Sequence, residues 1–294
     1  MSRSSFSFLR RHLRSLSLLA VLSLAVTGIS LGGFDALAVV LKPNFKARDA
    51  TQYPQNPNLA PYGMKDIVIA YEASLWPPGA SHSTPNTSYI LNTYIPKIKG
   101  QNPDVVVIDI EVWKLSATMT SSEITTNINK FKQVISAFRN GLPNAKIGIY
   151  MGVPERNWLA VCGDPAKRAA RMTAWHNNNL RLATLASAVD IIFPSLYTFY
   201  GDSASVSCWP YYAKANIKEA RIYGKPVWAF LWMKYHPDGG WIPRSFWRTQ
   251  LDTVYANADG LVIWSKSVGS SAWSWTAPWW LETKDFLADM QMVP

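Results

Sequence analysis

The stretch "PDVVVIDIEVWKL", residues 103–115, decides the fold class. Four consecutive apolar residues lead into two acids, Asp109 and Glu111, with only Ile110 between them. Unbroken apolar runs of this kind are typical of parallel strands that are buried on both faces. Because successive side chains of a strand alternate between its faces, Asp109 and Glu111 share a face, with Cα atoms ~6–7 Å apart. The stretch therefore predicts a buried strand that ends in two like charges.

Similar β-branched or aromatic runs recur along the chain, at "DIVIAYE" (66–72), "KIGIY" (146–150), "VDIIFPSLY" (189–197), "KPVWAFLW" (225–232) and "GLVIW" (260–264). Helical patterns fill the gaps. The clearest helix starts at "TSSE", where Thr120 and Glu123 have the spacing of a capping box, and it stops at Gly141. Further helices are predicted at about 165–187, 209–223, 245–257 and 279–290.

This alternation of buried strands and helices is typical of a parallel sheet covered on both faces. It predicts the α/β class and a single (β/α)8-type, TIM-like barrel over residues 63–294, either regular or distorted. An open doubly wound sheet is the alternative. It is less favoured because no Gly-rich phosphate loop follows a strand.

The first 38 residues have the pattern of a signal peptide. Four arginines precede an apolar run at 16–31, and "ALA" at 36–38 offers a cleavage site. The pattern predicts a secreted or periplasmic protein, and an uncleaved membrane anchor is the alternative because the run nears the length of a span. Residues 39–62 carry several Pro and Asn without an apolar period, which predicts a linker or an extended arm.

The net charge limits the classes of binding partner, and the cysteine count limits the disulfides. The net charge falls from +10 to +7 without residues 1–38, because that segment carries four Arg and one Asp. A basic surface attracts polyanions, but no run of five Lys or Arg follows the leader, so a nucleic-acid partner is not expected. Anionic lipid and acidic polysaccharide remain as polyanionic partners. The two cysteines, Cys162 and Cys208, permit one disulfide in an exported chain without requiring it.

The two acids of the opening stretch lie where (β/α) barrels build their sites, at the carboxyl end of a strand. Like charge and partial burial are expected to raise at least one of their pKa values. Cleavage of a glycosidic bond needs a protonated acid beside a carboxylate. A structural alternative is that they cap a turn or pair with Lys114. None of the four histidines forms a ligand-spaced cluster, so neither a zinc site nor a cofactor is predicted, although a carboxylate-only Mg²⁺ site stays open.

A family resemblance adds to this interpretation. "VIDIEVWK" (107–114) resembles the D-x-E-x-W-[RK] signature of the hyaluronidase family, retaining glycosidases on a distorted (β/α) barrel. Three further segments, "GIYMGVP" (148–154), "LASAVDIIFPSLY" (185–197) and "GLVIW" (260–264), are similar to family segments in the same order. The resemblance spans about residues 100–265, most of the mature domain.

The resemblance implies a role for each matching residue. Glu111 is the general acid/base, and Asp109 positions and stabilises an N-acetyl group whose carbonyl oxygen acts as the nucleophile. Tyr197 hydrogen-bonds near the acetamido group, and Trp264 forms a wall of the pocket. The chain departs from the family at "ERNW" (155–158), where a Cys-Tyr-Asn turn is expected, and only Asn157 or Trp158 could replace that tyrosine. Lys114 stands where Arg is commoner.

The chain contains 14 Trp, an excess that fits a sugar cleft, because sugar C–H faces pack on aromatic rings. The alternative is that most of these rings are core residues. The predicted substrate-binding residues lie at or near strand ends: Tyr71, Glu72, Trp76, Trp113, Tyr150, Trp232 and Trp264. For Glu72, a lone acid at a strand end, the alternative is a hydrogen-bond partner within the protein or a surface residue.

Together these patterns predict an exported glycosidase that cleaves an N-acetylhexosamine-containing, hyaluronan-like polysaccharide by a substrate-assisted retaining mechanism. Two alternatives remain. The first is a non-catalytic carbohydrate-binding barrel that keeps the aromatic groove. The second is a hydrolase that uses Asp109 and Glu111 as metal ligands.

Overall fold

A computed structural model describes residues 41–266 and 272–293. The predicted signal peptide, residues 1–38, lies outside the described residues. Across the two described ranges, no helix is both long and apolar enough to cross a lipid bilayer.

All strand pairings within the two sheets are parallel. The strands are β1 (Lys46–Ala50), β2 (Met64–Asp66), β3 (Val68–Tyr71), β4 (Val105–Asp109), β5 (Lys146–Tyr150), β6 (Ile191–Phe193), β7 (Trp228–Trp232) and β8 (Gly260–Trp264). One sheet has the order β2-β1-β8-β7 and the other β3-β4-β5-β6. The predictions for β5 and β8 match the observed bounds.

The two sheets join into a ring. On one side β2 and β3 are halves of one extended segment, interrupted at Ile67. On the other side, isolated parallel bridges join Ile192 to Val227 and Ser195 to Phe230. The parallel α/β barrel is therefore confirmed. Over the described residues the ring has seven strand positions, which is the distortion from the eight of a regular barrel.

Strand β1 corrects the predicted domain organisation. Residues 46–50 fall inside the segment predicted as a linker or arm, yet β1 lies between β8 and β2 in the sheet. Its sequence, "KARDA", has no apolar run because two of its buried residues are charged. Arg48 donates to both carboxylate oxygens of Asp104, and Asp49 accepts from the backbone N–H of Thr51. Polar partners thus replace the apolar pattern, and the barrel begins before residue 63.

The longest helix in the described ranges, α3 (Ser121–Gly141), confirms the predicted capping box. Thr120 Oγ1 accepts from the Glu123 N–H at 3.2 Å, and Glu123 Oε2 accepts from the Thr120 N–H at 2.8 Å. The predicted helix at 165–187 is divided between two helices, α5 (Arg168–Leu180) and α6 (Ala183–Ala188). The α-helices in the described ranges are α1 (Thr87–Tyr89), α2 (Ile95–Lys99), α3 (Ser121–Gly141), α4 (Trp158–Cys162), α5 (Arg168–Leu180), α6 (Ala183–Ala188), α7 (Ser203–Arg221), α8 (Arg244–Asn257) and α9 (Pro278–Asp289). A π-helical turn, Ile90–Tyr94, joins α1 to α2, and 3₁₀ turns lie at Ala60–Tyr62, Glu72–Ser74 and Pro165–Lys167.

Strand β4 lies in the core as the opening stretch predicts. Residues 105–108 are at most 2% exposed, and burying each of these side chains contributes roughly 1.5–3 kcal/mol. The register aligns the carboxyl ends of the strands, since Tyr71 pairs with Asp109 and Trp232 with Trp264. The barrel therefore gathers its polar and aromatic strand ends at one mouth.

The two cysteines form a disulfide. Cys162 ends α4 and Cys208 lies in α7, with Cα atoms 6.0 Å apart. The helix that carries Cys162 follows β5, and the helix that carries Cys208 follows β6. The bond joins two helices on the outside of the barrel.

Candidate active site

The mouth of the barrel encloses a cavity of about 90 Å³, called here the mouth cavity. It brings together five of the predicted site residues from four strand ends. Its lining is Ile69, Asp109, Glu111, Tyr150, Tyr197, Phe230, His236 and Trp264.

Asp109, the last residue of β4, is the unusual acid of this cavity. Its Oδ1 atom is buried and has no hydrogen-bond partner among the described residues. Burial raises the pKa of Asp109 to about 7, and the charges of Glu111 and Glu72 act in the same direction. The predicted pKa elevation is confirmed for this member of the pair. An unpartnered buried polar atom is costly, so the hydrogen-bonding capacity of Asp109 Oδ1 is not used by the described part of the chain.

Glu111 lies two residues beyond the strand and is exposed to solvent. Its backbone is held in place, because the N–H groups of Glu111 and Val112 donate to Glu72 Oε2 at 2.9 and 3.2 Å. Its carboxylate has no protein hydrogen-bond partner in the described ranges. Glu111 is thus presented to the mouth cavity on an anchored backbone.

Glu72 supplies that anchor, which is the hydrogen-bonding role expected as the alternative for this acid. Its Oε1 lies 2.7 Å from His82 Nδ1, and its Oε2 receives the two backbone N–H groups that follow β4. Burial acts to raise the pKa of Glu72, but these hydrogen bonds outweigh it and the pKa is lowered. The carboxylate is occupied by the protein.

Aromatic rings form the opposite wall. The ring of Tyr197 stacks on Trp264, with centroids 5.4 Å apart, and lies 5.9 Å from both Tyr150 and Trp232. The Tyr150 hydroxyl is 3.0 Å from Ser195 Oγ. Burial raises the pKa of Tyr150 and of Tyr197, so both hydroxyls stay protonated and able to donate.

Tyr71 supports this wall without lining the mouth cavity. Its hydroxyl oxygen accepts from Trp264 Nε1 at 2.8 Å and from Gln52 Nε2 at 2.6 Å. Burial raises the pKa of Tyr71 to about 12. The phenol therefore stays neutral and fixes the indole of Trp264.

Two of the predicted substrate-binding residues are largely buried. Trp76 is 2% exposed and Trp113 is 3% exposed. Their indole N–H groups donate to the carbonyl oxygens of Thr84 and His82, at 2.9 and 2.8 Å. Each indole thus satisfies its one donor inside the protein, and the exposed sugar platform predicted for Trp76 is wrong.

Two neighbouring cavities extend the mouth. One, the side cavity of about 220 Å³, shares Glu111 and Tyr150 with it and is also lined by Trp113, Lys114 and Arg156. The other cavity, of about 470 Å³, shares His236 with the mouth cavity. It is called here the hairpin cavity, because a hairpin at residues 234–241 forms part of its wall. It is lined by Tyr53, Trp232, Met233, Lys234, Pro237, Asp238, Gly239, Ser265 and Lys266. The predicted residue Trp232 thus lies at this second cavity.

Sequence reasoning missed His236 and Ser195. Both follow strand ends, but a single serine or histidine after a strand carries no motif, and their contacts are made with residues distant in sequence. Within the described ranges, no group of three or more His, Cys, Asp or Glu residues is arranged to hold a metal ion.

Comparison with known proteins supports the fold. Bee venom hyaluronidase is 16% identical, with a TM-score of 0.56 over 85% of this chain and 99% of that one. The same bee enzyme in complex with a hyaluronic acid tetramer gives a TM-score of 0.58 at 16% identity, over 83% of this chain and 96% of that one. No protein-family model and no curated protein sequence matches the chain. The likeness establishes a distorted α/β barrel similar to that of bee venom hyaluronidase.

Proposed function

We propose that this protein is an exported glycoside hydrolase that cleaves an N-acetylhexosamine-containing, hyaluronan-like polysaccharide. One observation carries the proposal. Asp109 Oδ1 is buried and unpartnered among the described residues, in the cavity that Glu111 also lines. A carboxyl held in this way is poorly suited to stabilising a fold and well suited to meeting a donor on a ligand.

Glu111 is the general acid/base of the proposed mechanism. Its exposure allows a glycosidic oxygen to reach it, and the anchor from Glu72 fixes its backbone. As the glycosidic C–O bond breaks, Glu111 gives its proton to the leaving oxygen. The resulting carboxylate then takes a proton from the water that attacks the anomeric carbon.

Asp109 assists the nucleophile, which belongs to the substrate. The carbonyl oxygen of the N-acetyl group bonds to the anomeric carbon, and positive charge develops on the acetamido group. Asp109 accepts a hydrogen bond from the acetamido N–H and stabilises that charge. Water then opens the cyclic intermediate, and two displacements at the same carbon retain its configuration.

The aromatic wall orients the reacting sugar. The Tyr197 hydroxyl, kept protonated by burial, donates near the acetamido oxygen. Trp264, held by Tyr71, offers its ring as a wall for the sugar's C–H face. Cavities on both sides of the mouth cavity leave room for a chain rather than a single sugar. The hyaluronic acid tetramer bound by the bee enzyme supports a polysaccharide as the ligand class.

Export is part of the proposal. The Cys162–Cys208 disulfide is typical of proteins that mature in oxidising compartments. The leader-like pattern of residues 1–38 supports the same conclusion.

The proposal is tested by reducing-sugar release from hyaluronan, chondroitin, chitin and peptidoglycan, with and without EDTA. We expect release from at least one N-acetylhexosamine polymer, at a rate that EDTA leaves unchanged. Activity abolished by EDTA and restored by a divalent cation would establish a metal-dependent hydrolase instead. Binding without release would establish a carbohydrate-binding barrel.

A further inference from the structure

His236 is carried by a hairpin that follows β7. The hairpin is closed by an antiparallel bridge between Lys234 and Trp241 and by the Tyr235 N–H, which donates to the Gly240 carbonyl at 2.8 Å. The His236 N–H donates to the Thr198 carbonyl at 2.8 Å, which ties the hairpin to the segment after β6. Two elements therefore fix the backbone of His236.

Contacts among neighbouring side chains fix the orientation of the His236 ring. The imidazole stacks on Phe199, with centroids 4.4 Å apart and planes 23° from parallel. The Arg156 guanidinium lies over the same phenyl ring, 4.5 Å from its centroid. Trp232 meets the imidazole edge to face at 5.8 Å. Segments following three successive strands, β5, β6 and β7, thus hold one histidine at the mouth.

The polar atoms of this ordered ring are free. In the described part of the chain, neither ring nitrogen of His236 has a hydrogen-bond partner, and the side chain is exposed. Partial desolvation lowers the pKa of His236, Arg156 lowers it further, and Glu111 acts in the opposite direction. A neutral imidazole presents one donor and one acceptor.

The position of His236 gives these atoms a use, because it lines both the mouth cavity and the hairpin cavity. A polysaccharide that runs from one cavity into the other passes the edge of this ring. Across the ring of strands, β7 lies three positions from β4, which places His236 on the far side of the mouth from Asp109.

We propose that His236 is a substrate-binding residue that hydrogen-bonds a hydroxyl or carbonyl group of the saccharide where the chain passes from the mouth cavity into the hairpin cavity. This inference rests on the proposed function. The recognised chemistry is an uncharged polar group, so the contact serves neutral and acidic polysaccharides alike. Phe199 and Arg156 are positioning residues, which act through the orientation of the imidazole.

The test compares His236→Ala, His236→Gln and the control His176→Gln. His176 lies on α5 beside Glu219, away from the mouth, so the control makes the same substitution without touching the site. Loss of one hydrogen bond is expected to raise KM about 5- to 10-fold in His236→Ala, with kcat within about twofold of wild type. His236→Gln keeps a donor and an acceptor and should recover most of the wild-type KM. His176→Gln should not change KM.

A wild-type KM in His236→Ala would overturn the inference while leaving the proposed glycosidase intact. A fall in kcat shared equally by the Ala and Gln variants would indicate a structural role, and would also overturn it. Calorimetric binding of hyaluronan and chitin hexasaccharides to Glu111→Gln, with and without His236→Ala, separates the two proposals. If the protein binds sugar without cleaving it, His236→Ala should still raise Kd 5- to 10-fold. Absence of binding to either oligosaccharide would overturn both proposals.

Discussion

The two ends of β4 carry one aspartate each, and their surroundings are opposite. Asp104, just before the strand, pairs with Arg48 at 2.8 Å and with Lys65 at 3.2 Å. Asp109, at the carboxyl end, has an Oδ1 without a partner among the described residues. Burial acts to raise the pKa of both, but the two cations outweigh it at Asp104, where the pKa is lowered. At Asp109 nothing offsets it, and the pKa rises to about 7.

The difference separates an acid that holds the fold from one that costs stability. An acid whose pKa is lowered on folding stabilises the native state when ionised, whereas a raised pKa means that ionisation destabilises it. A rise from 3.8 to about 7 corresponds to a cost of a few kcal/mol at neutral pH. Ionised Asp104 therefore stabilises the fold, whereas ionised Asp109 destabilises it, and this cost is consistent with the catalytic role proposed for Asp109.

Of the substitutions at the two ends of β4, Asp109→Asn should have the larger effect on turnover. Removing the charge that stabilises the acetamido group should lower kcat by roughly 10²–10³-fold, as for the loss of one preorganised electrostatic contact. The wild-type pH–rate profile should show an inflection near 7 from Asp109, and the variant should lack it. Steady-state kinetics from pH 4 to 9 would measure both. Unchanged kcat would remove Asp109 from the mechanism.

The same variant should gain stability. Between about pH 4 and 7 folded Asp109 binds its proton more tightly than the unfolded chain does, so the wild-type free energy of unfolding falls as pH rises. At pH 8 Asp109→Asn should be more stable by up to a few kcal/mol, and near pH 4 the two proteins should be equal. Urea unfolding at both pH values measures this. A destabilised variant at pH 8 would show that Asp109 is structural.

Asp104→Asn should behave in the opposite way. The carboxyl is partly exposed while Arg48 is buried, so the lost pairing should cost about 1–2 kcal/mol at pH 7, between the values for exposed and buried pairs. Because the folded pKa is lowered, this difference is present above about pH 4 and disappears as pH falls through the folded pKa. Urea unfolding at pH 7 and pH 3 measures it. Turnover of the folded fraction should stay normal.

Ionic strength should have the smallest effect, a change in KM, and lysine substitutions at the two ends of the barrel should alter that effect differently. If the substrate is polyanionic, KM should rise with ionic strength, because exposed charges are screened over ~10 Å at ~0.1 M salt. Lys114 lines the side cavity, whereas Lys46 lies at the amino end of β1. Lys114→Gln should weaken the salt dependence, and Lys46→Gln should not. A KM independent of salt would indicate a neutral polysaccharide.

The sequence was sufficient for the elements whose pattern is local. The apolar run of β4, the bounds of β5 and β8, and the capping box at Thr120 and Glu123 depend on neighbouring residues, and each was predicted correctly. The grouping of Asp109, Glu111, Tyr150, Tyr197 and Trp264 also followed, because parallel strands place their carboxyl ends together.

The features that were missed depend on partners distant in sequence. β1 can be polar because Arg48 pairs with Asp104 and Asp49 accepts a hydrogen bond from the Thr51 N–H. No local sequence pattern shows that these charges are buried. The position of Trp76 close after a strand predicts a place in the cleft, but the indole is buried and its N–H donates to the Thr84 carbonyl. His236 reaches the mouth through a hairpin whose anchor, Thr198, follows a different strand.

The kcat of folded Glu111→Gln on the best substrate tests the central claim most directly. The substitution removes the proton donor and keeps the shape of the side chain, so kcat should fall by about 10²–10⁴-fold while KM changes little. Circular dichroism and urea unfolding should match wild type, because the Glu111 side chain is exposed and its anchor is made by the backbone. A folded variant that keeps most of the wild-type kcat would contradict the assignment of this pair as the catalytic acids of a glycosidase.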